Sequence, residues 1–103
     1  MRADREPKEE PDLDFEWDRE KAERNLSKHG ISFHEATTVF GDGLSVMVSD
    51  LDHSSGEIRY LDIGMWSDRR LLVVAYTERG SKIRIISCRR ATRSERQVYE
   101  EQE

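Results

Sequence analysis

The chain has little of what usually announces a function. One cysteine, Cys88, among 103 residues excludes an internal disulfide and any multi-cysteine zinc site. No apolar run approaches the roughly 18 residues of a transmembrane helix. The opening MRADREPKEEPDLDFEWD lacks the apolar core of a secretory signal. Together these absences point to a soluble protein of a reducing cytoplasm. No glycine-rich phosphate loop is present, since Gly41-Asp42-Gly43 is too short and precedes a strand pattern rather than a helix. The three histidines, His29, His34 and His53, show neither HxH nor HxxxH spacing. Asp50, Asp52 and His53 fall in a loop with glycine and serine, and read as solvated rather than as a metal cluster. Both prolines, Pro7 and Pro11, lie in a polar opening segment, so residues 1–13 read as a disordered acidic extension. Such an arm is either a plain solvated tail or one that shields basic surface elsewhere or meets a partner. Residues 14–103 are then a single domain, with a small core and a heavily charged surface.

What the chain does have is arginine, concentrated late. Between Arg69 and Arg96 stand nine basic residues against two acidic ones, a local balance of +7 in a chain of net charge -5. Eight of the nine are arginines (Arg69, Arg70, Arg79, Arg84, Arg89, Arg90, Arg93 and Arg96, beside Lys82). Arginine presents a planar fork suited to phosphate oxygens. A fold that gathers this charge on one hairpin while staying acidic elsewhere is suited to holding a polyanion.

The local patterns predict the order β-α-α-β-β-β-β-α. Asp14–Trp17 alternates as a first strand. Asp18 caps a helix to about His29, with Ala22 and Leu26 on its buried face, and Gly30 stops it. Ser32 and Glu35 form a capping box that opens a short helix burying Phe33, Ala36, Val39 and Phe40. Strands follow over 44–49, 58–66, 71–77 and 82–90, with turns at 67–69 and at Arg79-Gly80-Ser81. The all-apolar 71–77 should be the central strand. Thr92 and Glu95 form a second capping box and open a C-terminal helix. The fold class is α+β: an antiparallel meander of four to five strands flanked by two N-terminal helices and one C-terminal helix, packed on one face. Strand parity places Ile83, Ile85, Ser87 and Arg89 on one face and Arg84, Ile86, Cys88 and Arg90 on the other. Neither face is fully polar, so the arginines work from strand ends.

Some of these residues suit phosphoryl chemistry. Cleavage of RNA by its own 2′-hydroxyl needs a proton acceptor, cations for the charged phosphorane and a proton for the leaving oxygen. Glu57 and Arg59 share one strand face, Arg79 ends the central strand, and Lys28-His29 end the first helix. Each has a plainer reading: a surface ion pair, a turn cation, a helix terminus with its carbonyls satisfied. Cys88, inside an apolar strand, reads as a small buried hydrophobe.

The strings FEWDREKAERNLSKHGISFHEATTVF, EIRYLDIG and LLVVAYTERGSKIRIISCRRATRSERQVY resemble the BrnT family of type II toxins over about Phe15 to Tyr99. NLSKHGISF and IRIISCRRATRSER carry most of the likeness. The resemblance implies a RelE-like fold and a toxin that cleaves RNA and so arrests translation and growth. It implies a BrnA-like antitoxin as partner, in a dimeric assembly that binds operator DNA through the antitoxin; the residues themselves suit chemistry without a metal, and no cofactor is expected. Its characteristic polar residues fall on Lys28, His29, Glu57, Arg59, Arg79, Arg89 and Arg90. On this resemblance Arg59 and Arg79 bind or neutralise the scissile phosphate. Lys28 or His29 supports proton transfer, and Glu57 orients an arginine or acts as base. Arg84, Arg89, Arg90 and Arg93 are expected to bind RNA. Two other classes stand beside this one: a non-catalytic RNA- or DNA-binding module, and an interaction protein whose basic hairpin is covered by an acidic partner.

Overall fold

The apolar run that begins at Leu71 becomes the centre of the molecule. In the computed structural model, which describes residues 13–50, 56–66 and 70–102, every residue from Leu71 to Thr77 is buried. The elements are β1 (Asp14–Trp17), α1 (Arg19–His29), α2 (Phe33–Ala36), a 3₁₀ segment (Thr37–Gly41), β2 (Val46–Ser49), β3 (Arg59–Met65), β4 (Leu71–Arg79), β5 (Lys82–Arg90) and α3 (Arg93–Glu100). The five strands form one sheet in the order β1-β5-β4-β3-β2. The α+β class and the flanking helices are as the sequence predicts. β2 to β5 form the antiparallel meander, but β1 runs parallel to β5, with Phe15 opposite Ile83 and Trp17 opposite Ile85. The turn at 67–69 and the Asp52–His53 part of the loop lie outside the described residues.

Local signals set the helix ends. The Asp18 side chain accepts from Lys21 N–H at 3.0 Å, and Gly30, at φ 74°, closes α1 by donating to Leu26 O at 2.8 Å. Both capping boxes form, Ser32 with Glu35 and Thr92 with Glu95. The second helix is shorter than predicted and tightens into the 3₁₀ segment. Thr37 and Thr38 hydroxyls donate back to His34 O and Glu35 O, both at 2.7 Å, a pattern that bends and narrows a helix.

Ile31, Phe33, Ala36 and Val39 pack with Leu72, Val74, Ile85, Cys88 and Trp66 into the core on one sheet face. Each fully buried aliphatic or aromatic side chain there contributes about 1.5–3 kcal/mol. The buried face of α1 is only partly the predicted one, for Ala22 packs against the core and Leu26 does not. Leu26 is 50% exposed, whereas Asn25 is buried because both ends of its amide are used. Its Oδ1 accepts from Cys88 N–H and its Nδ2 donates to Ile31 O, each at 3.0 Å.

The predicted parity of β5 is also overturned. Ala75 pairs with Ser87, yet Tyr76 pairs with Ile85, so Ile86 is an extra residue on β5. From that bulge onward the alternation is reversed. Cys88 joins Ile83 and Ile85 on the core face, and Ser87 and Arg89 join Arg84 on the opposite one. α3 starts on this second face, tied there by Arg89 and Glu95, so the three helices do not share one side of the sheet.

Candidate functional site

Register builds a charged patch on the second face, at the hairpin end of the sheet. Arg59 lies opposite Thr77, Thr77 opposite Arg84, and Arg84 opposite Glu16. The next row outward sets Arg79 opposite Lys82 and Lys82 opposite Asp14. Glu57, two residues before Arg59, reaches Arg79. Neighbouring strands stand about 4.8 Å apart and same-face residues about 6.6 Å apart. Four cations (Arg59, Arg79, Lys82 and Arg84) therefore share a patch about 10 Å across. Gly80, at φ 61°, makes the two-residue turn that holds Arg79 and Lys82 side by side.

Each arginine of the patch meets a carboxylate from another element. Arg79 grips Glu57 through two bonds, Nε to Oε2 at 2.8 Å and Nη2 to Oε1 at 3.2 Å. Arg84 donates to Glu16 at 3.3 Å, and Arg59 Nε stands 3.7 Å from Asp50 Oδ2. The hydrogen bonds from Arg79 hold the Glu57 carboxyl below its ordinary range, and Glu57 in turn raises Arg79. Between Arg59 and Arg84 the buried Thr77 hydroxyl has no hydrogen-bond partner among the described residues. Arg79 and Glu57 are about half exposed, so solvent reaches the pair.

The structure thus gathers Glu57, Arg59, Arg79 and Arg84 from the sequence expectations. It adds Glu16, Lys82 and Thr77, which sequence spacing did not single out because only strand register reveals them. Arg89 is engaged differently. Its guanidinium forms a two-bond pair with Glu95 at 2.8 and 2.9 Å, chiefly through which the Glu95 carboxyl is held down to about 2. Arg90 and Arg93 are exposed and make no ion pair among the described residues. Lys28 and His29 stand elsewhere. With Lys21, Arg24, Asn25, Ile86 and Ser87 they line a groove of about 310 Å³ between α1 and β5. Ile86 is four residues along β5 from Lys82, roughly 13 Å at strand rise.

Cys88 is fully buried, and desolvation pushes its thiol up to about 12, so it is a protonated core residue. Among the described residues no group of three or more His, Cys, Asp or Glu is placed to hold a metal ion. Among the described residues no helix is long and apolar enough to cross a membrane either.

Comparison with known proteins agrees with this architecture. A family model described as "Ribonuclease toxin, BrnT, of type II toxin-antitoxin system" matches residues 17–95. No curated protein matches the chain. Among solved structures, the 1.1 Å crystal structure of the Brucella abortus ribonuclease toxin BrnT superposes with a TM-score of 0.63. The two share 23% sequence identity, over 80% of this chain and 100% of that one.

Proposed function

This chain belongs to the BrnT family of ribonuclease toxins of type II toxin–antitoxin systems, and from that premise we propose that the Glu57–Arg79 pair is the centre of its RNA-cleaving site. The observation that carries the reading is the two-bond contact of Glu57 with Arg79 inside a patch of four cations. Glu57 holds the fork in a fixed direction where solvent reaches it, so that a phosphate can take the carboxylate's place.

In the proposed reaction the scissile phosphate takes over the Arg79 fork, with Arg59 and Arg84 beside it to balance the charge that builds in the phosphorane. The Glu57 carboxylate, ionised at neutral pH, is released from Arg79 as the phosphate arrives and accepts the proton of the 2′-hydroxyl. The 2′-oxygen bonds to phosphorus, the bond to the 5′-oxygen breaks, and that oxygen takes a proton from solvent. The chemistry uses only side chains and needs no metal ion. Cleaving RNA in this way inhibits translation and growth in the cytoplasm.

The family implies an antitoxin partner, which we take to be of the BrnA type. β2 supports a protein partner of some kind. It is an edge strand with Met47 55% and Val48 39% exposed, and its outer hydrogen-bonding edge pairs with no described strand.

The test is cleavage of RNA by the purified chain in the presence of a chelator, together with growth arrest on induction. Arg79→Ala is expected to slow cleavage by about 10²–10³-fold and to abolish arrest, while Arg59→Ala weakens both. Arg79→Ala that cuts at the wild-type rate with intact secondary structure would show that this site is wrongly assigned. Loss of wild-type cleavage in chelator would remove the metal-free chemistry.

A further inference from the structure

Four arginines of β3, β4 and β5 are answered by carboxylates: Arg59 by Asp50, Arg79 by Glu57, Arg84 by Glu16 and Arg89 by Glu95. The groove between α1 and β5 is different. Lys21, Arg24 and Lys28 are spaced i, i+3 and i+7, so they line one side of the helix over about 10 Å. Among the described residues no aspartate or glutamate lines the groove with them. The one acidic contact among the described residues is Arg24 with Glu20 at 4.0 Å, where both side chains are more than two-thirds exposed and the pair is worth little. Lys21 and Lys28 form no ion pair among the described residues.

The groove is also built rather than incidental. β1 covers β5 only as far as Ile85, and beyond that α1 takes its place along the edge. Asn25 forms the floor and is fixed at both ends, by Cys88 N–H and by Ile31 O. Ile86 and Ser87 form the opposite wall at the bulge. Because the bulge reverses parity, Ser87 lies on the same sheet face as Arg84. The groove therefore opens about three strand residues, roughly 10 Å, from the charged patch.

We propose that this groove is a second anchor for the RNA, holding the sugar–phosphate backbone of a single strand whose scissile phosphate sits at Glu57–Arg79. The proposal rests on the ribonuclease reading given above, and it moves Lys28 and His29 from proton transfer to docking. No Phe, Tyr or Trp lines the groove, so bases find no stacking platform there. Its contacts are to phosphate, and they add affinity without adding sequence choice.

The experiment measures binding of single-stranded RNA methylated at its 2′-oxygens, which cannot cleave itself. A trinucleotide is compared with an oligonucleotide long enough to reach the groove. The wild-type chain is expected to bind the longer RNA more tightly, on the order of tenfold, and the triple variant Lys21→Gln/Arg24→Gln/Lys28→Gln to lose that advantage. The variant's salt dependence with the longer RNA should be shallower by about 2 in log–log slope, near 0.7 per contact removed. Lys28→Gln alone should lose part of the advantage, which keeps the test open if the triple variant misfolds. A triple variant that retains the full length advantage, or a wild-type chain that shows none, overturns the proposal. The result is separate from that of Arg79→Ala on cleavage. Loss of the length advantage beside unimpaired cleavage by Arg79→Ala would uphold the groove and refute the catalytic site.

Discussion

Asp62 shows how far one side chain's setting can depart from its sequence appearance. It alternates with Leu61 and Ile63 on β3 like an ordinary strand residue, yet it is 5% exposed and turned into the sheet interior. Burial pushes its carboxyl up to about 6. The Ser45 hydroxyl relieves part of this and the Asp42 charge adds to it. A carboxyl whose folded pKa lies above its ordinary 3.8 favours the fold while protonated, and that contribution is lost as pH rises through 6. Asp62→Asn, neutral at every pH, should therefore raise the melting temperature by several degrees at pH 7.5 and change it little at pH 4. Thermal unfolding at the two pH values checks this, and an equal shift at both would contradict the assigned cause. Glu95 titrates in the opposite sense. Its depressed carboxyl, bound to Arg89, supports α3 above about 4.5 and stops doing so as pH falls toward 2.

At the scale of elements, the legible parts were those whose causes are local. Asp18, Ser32 with Glu35, and Thr92 with Glu95 each fix a helix start through bonds spanning three residues, and all three form. The buried run from Leu71 and the turn at Gly80 were equally plain. What could not be read was set by distant partners. Parallel pairing of β1 with β5 joins Phe15 to Ile83, and nothing in either segment names the other. The bulge at Ile86 looks like ordinary alternation until the register against Ala75 and Tyr76 is known. Helical periodicity favoured Leu26 over Asn25 because an amide is buried only when both its partners are in place. Asn25→Ala leaves Cys88 N–H and Ile31 C=O unanswered, at about 1–3 kcal/mol each. Leu26→Ala, at a half-exposed position, should cost less than about 1 kcal/mol. Denaturant unfolding of the two variants orders them, and a larger loss at Leu26 would contradict the role given to Asn25.

Across the whole molecule, charge is sorted rather than merely collected. The sequence revealed a basic hairpin and an acidic remainder, but not that Glu16, Asp50, Glu57 and Glu95 would be delivered one to each of four arginines. That sorting changes what the hairpin can do. A bare arginine cluster docks any polyanion, whereas a fork held by a carboxylate has a direction and a proton acceptor beside it. The family match runs from Trp17, at the end of β1, to Glu95 in α3, so it covers all of these groups except Glu16. Glu57 and Arg79, the pair proposed as the site, were visible individually in the sequence, and their contact across 22 positions of chain was not.

The central claim is that Glu57 and Arg79 act as one unit, and a double-mutant cycle on the RNA cleavage rate tests it most directly. Rates are compared for the wild-type chain, Glu57→Gln, Arg79→Ala and the double variant, each confirmed to be folded. If the two act as a unit, the double variant should be no slower than Arg79→Ala alone within about threefold. Losses that multiply in the double variant, or full activity in either single one, would contradict it.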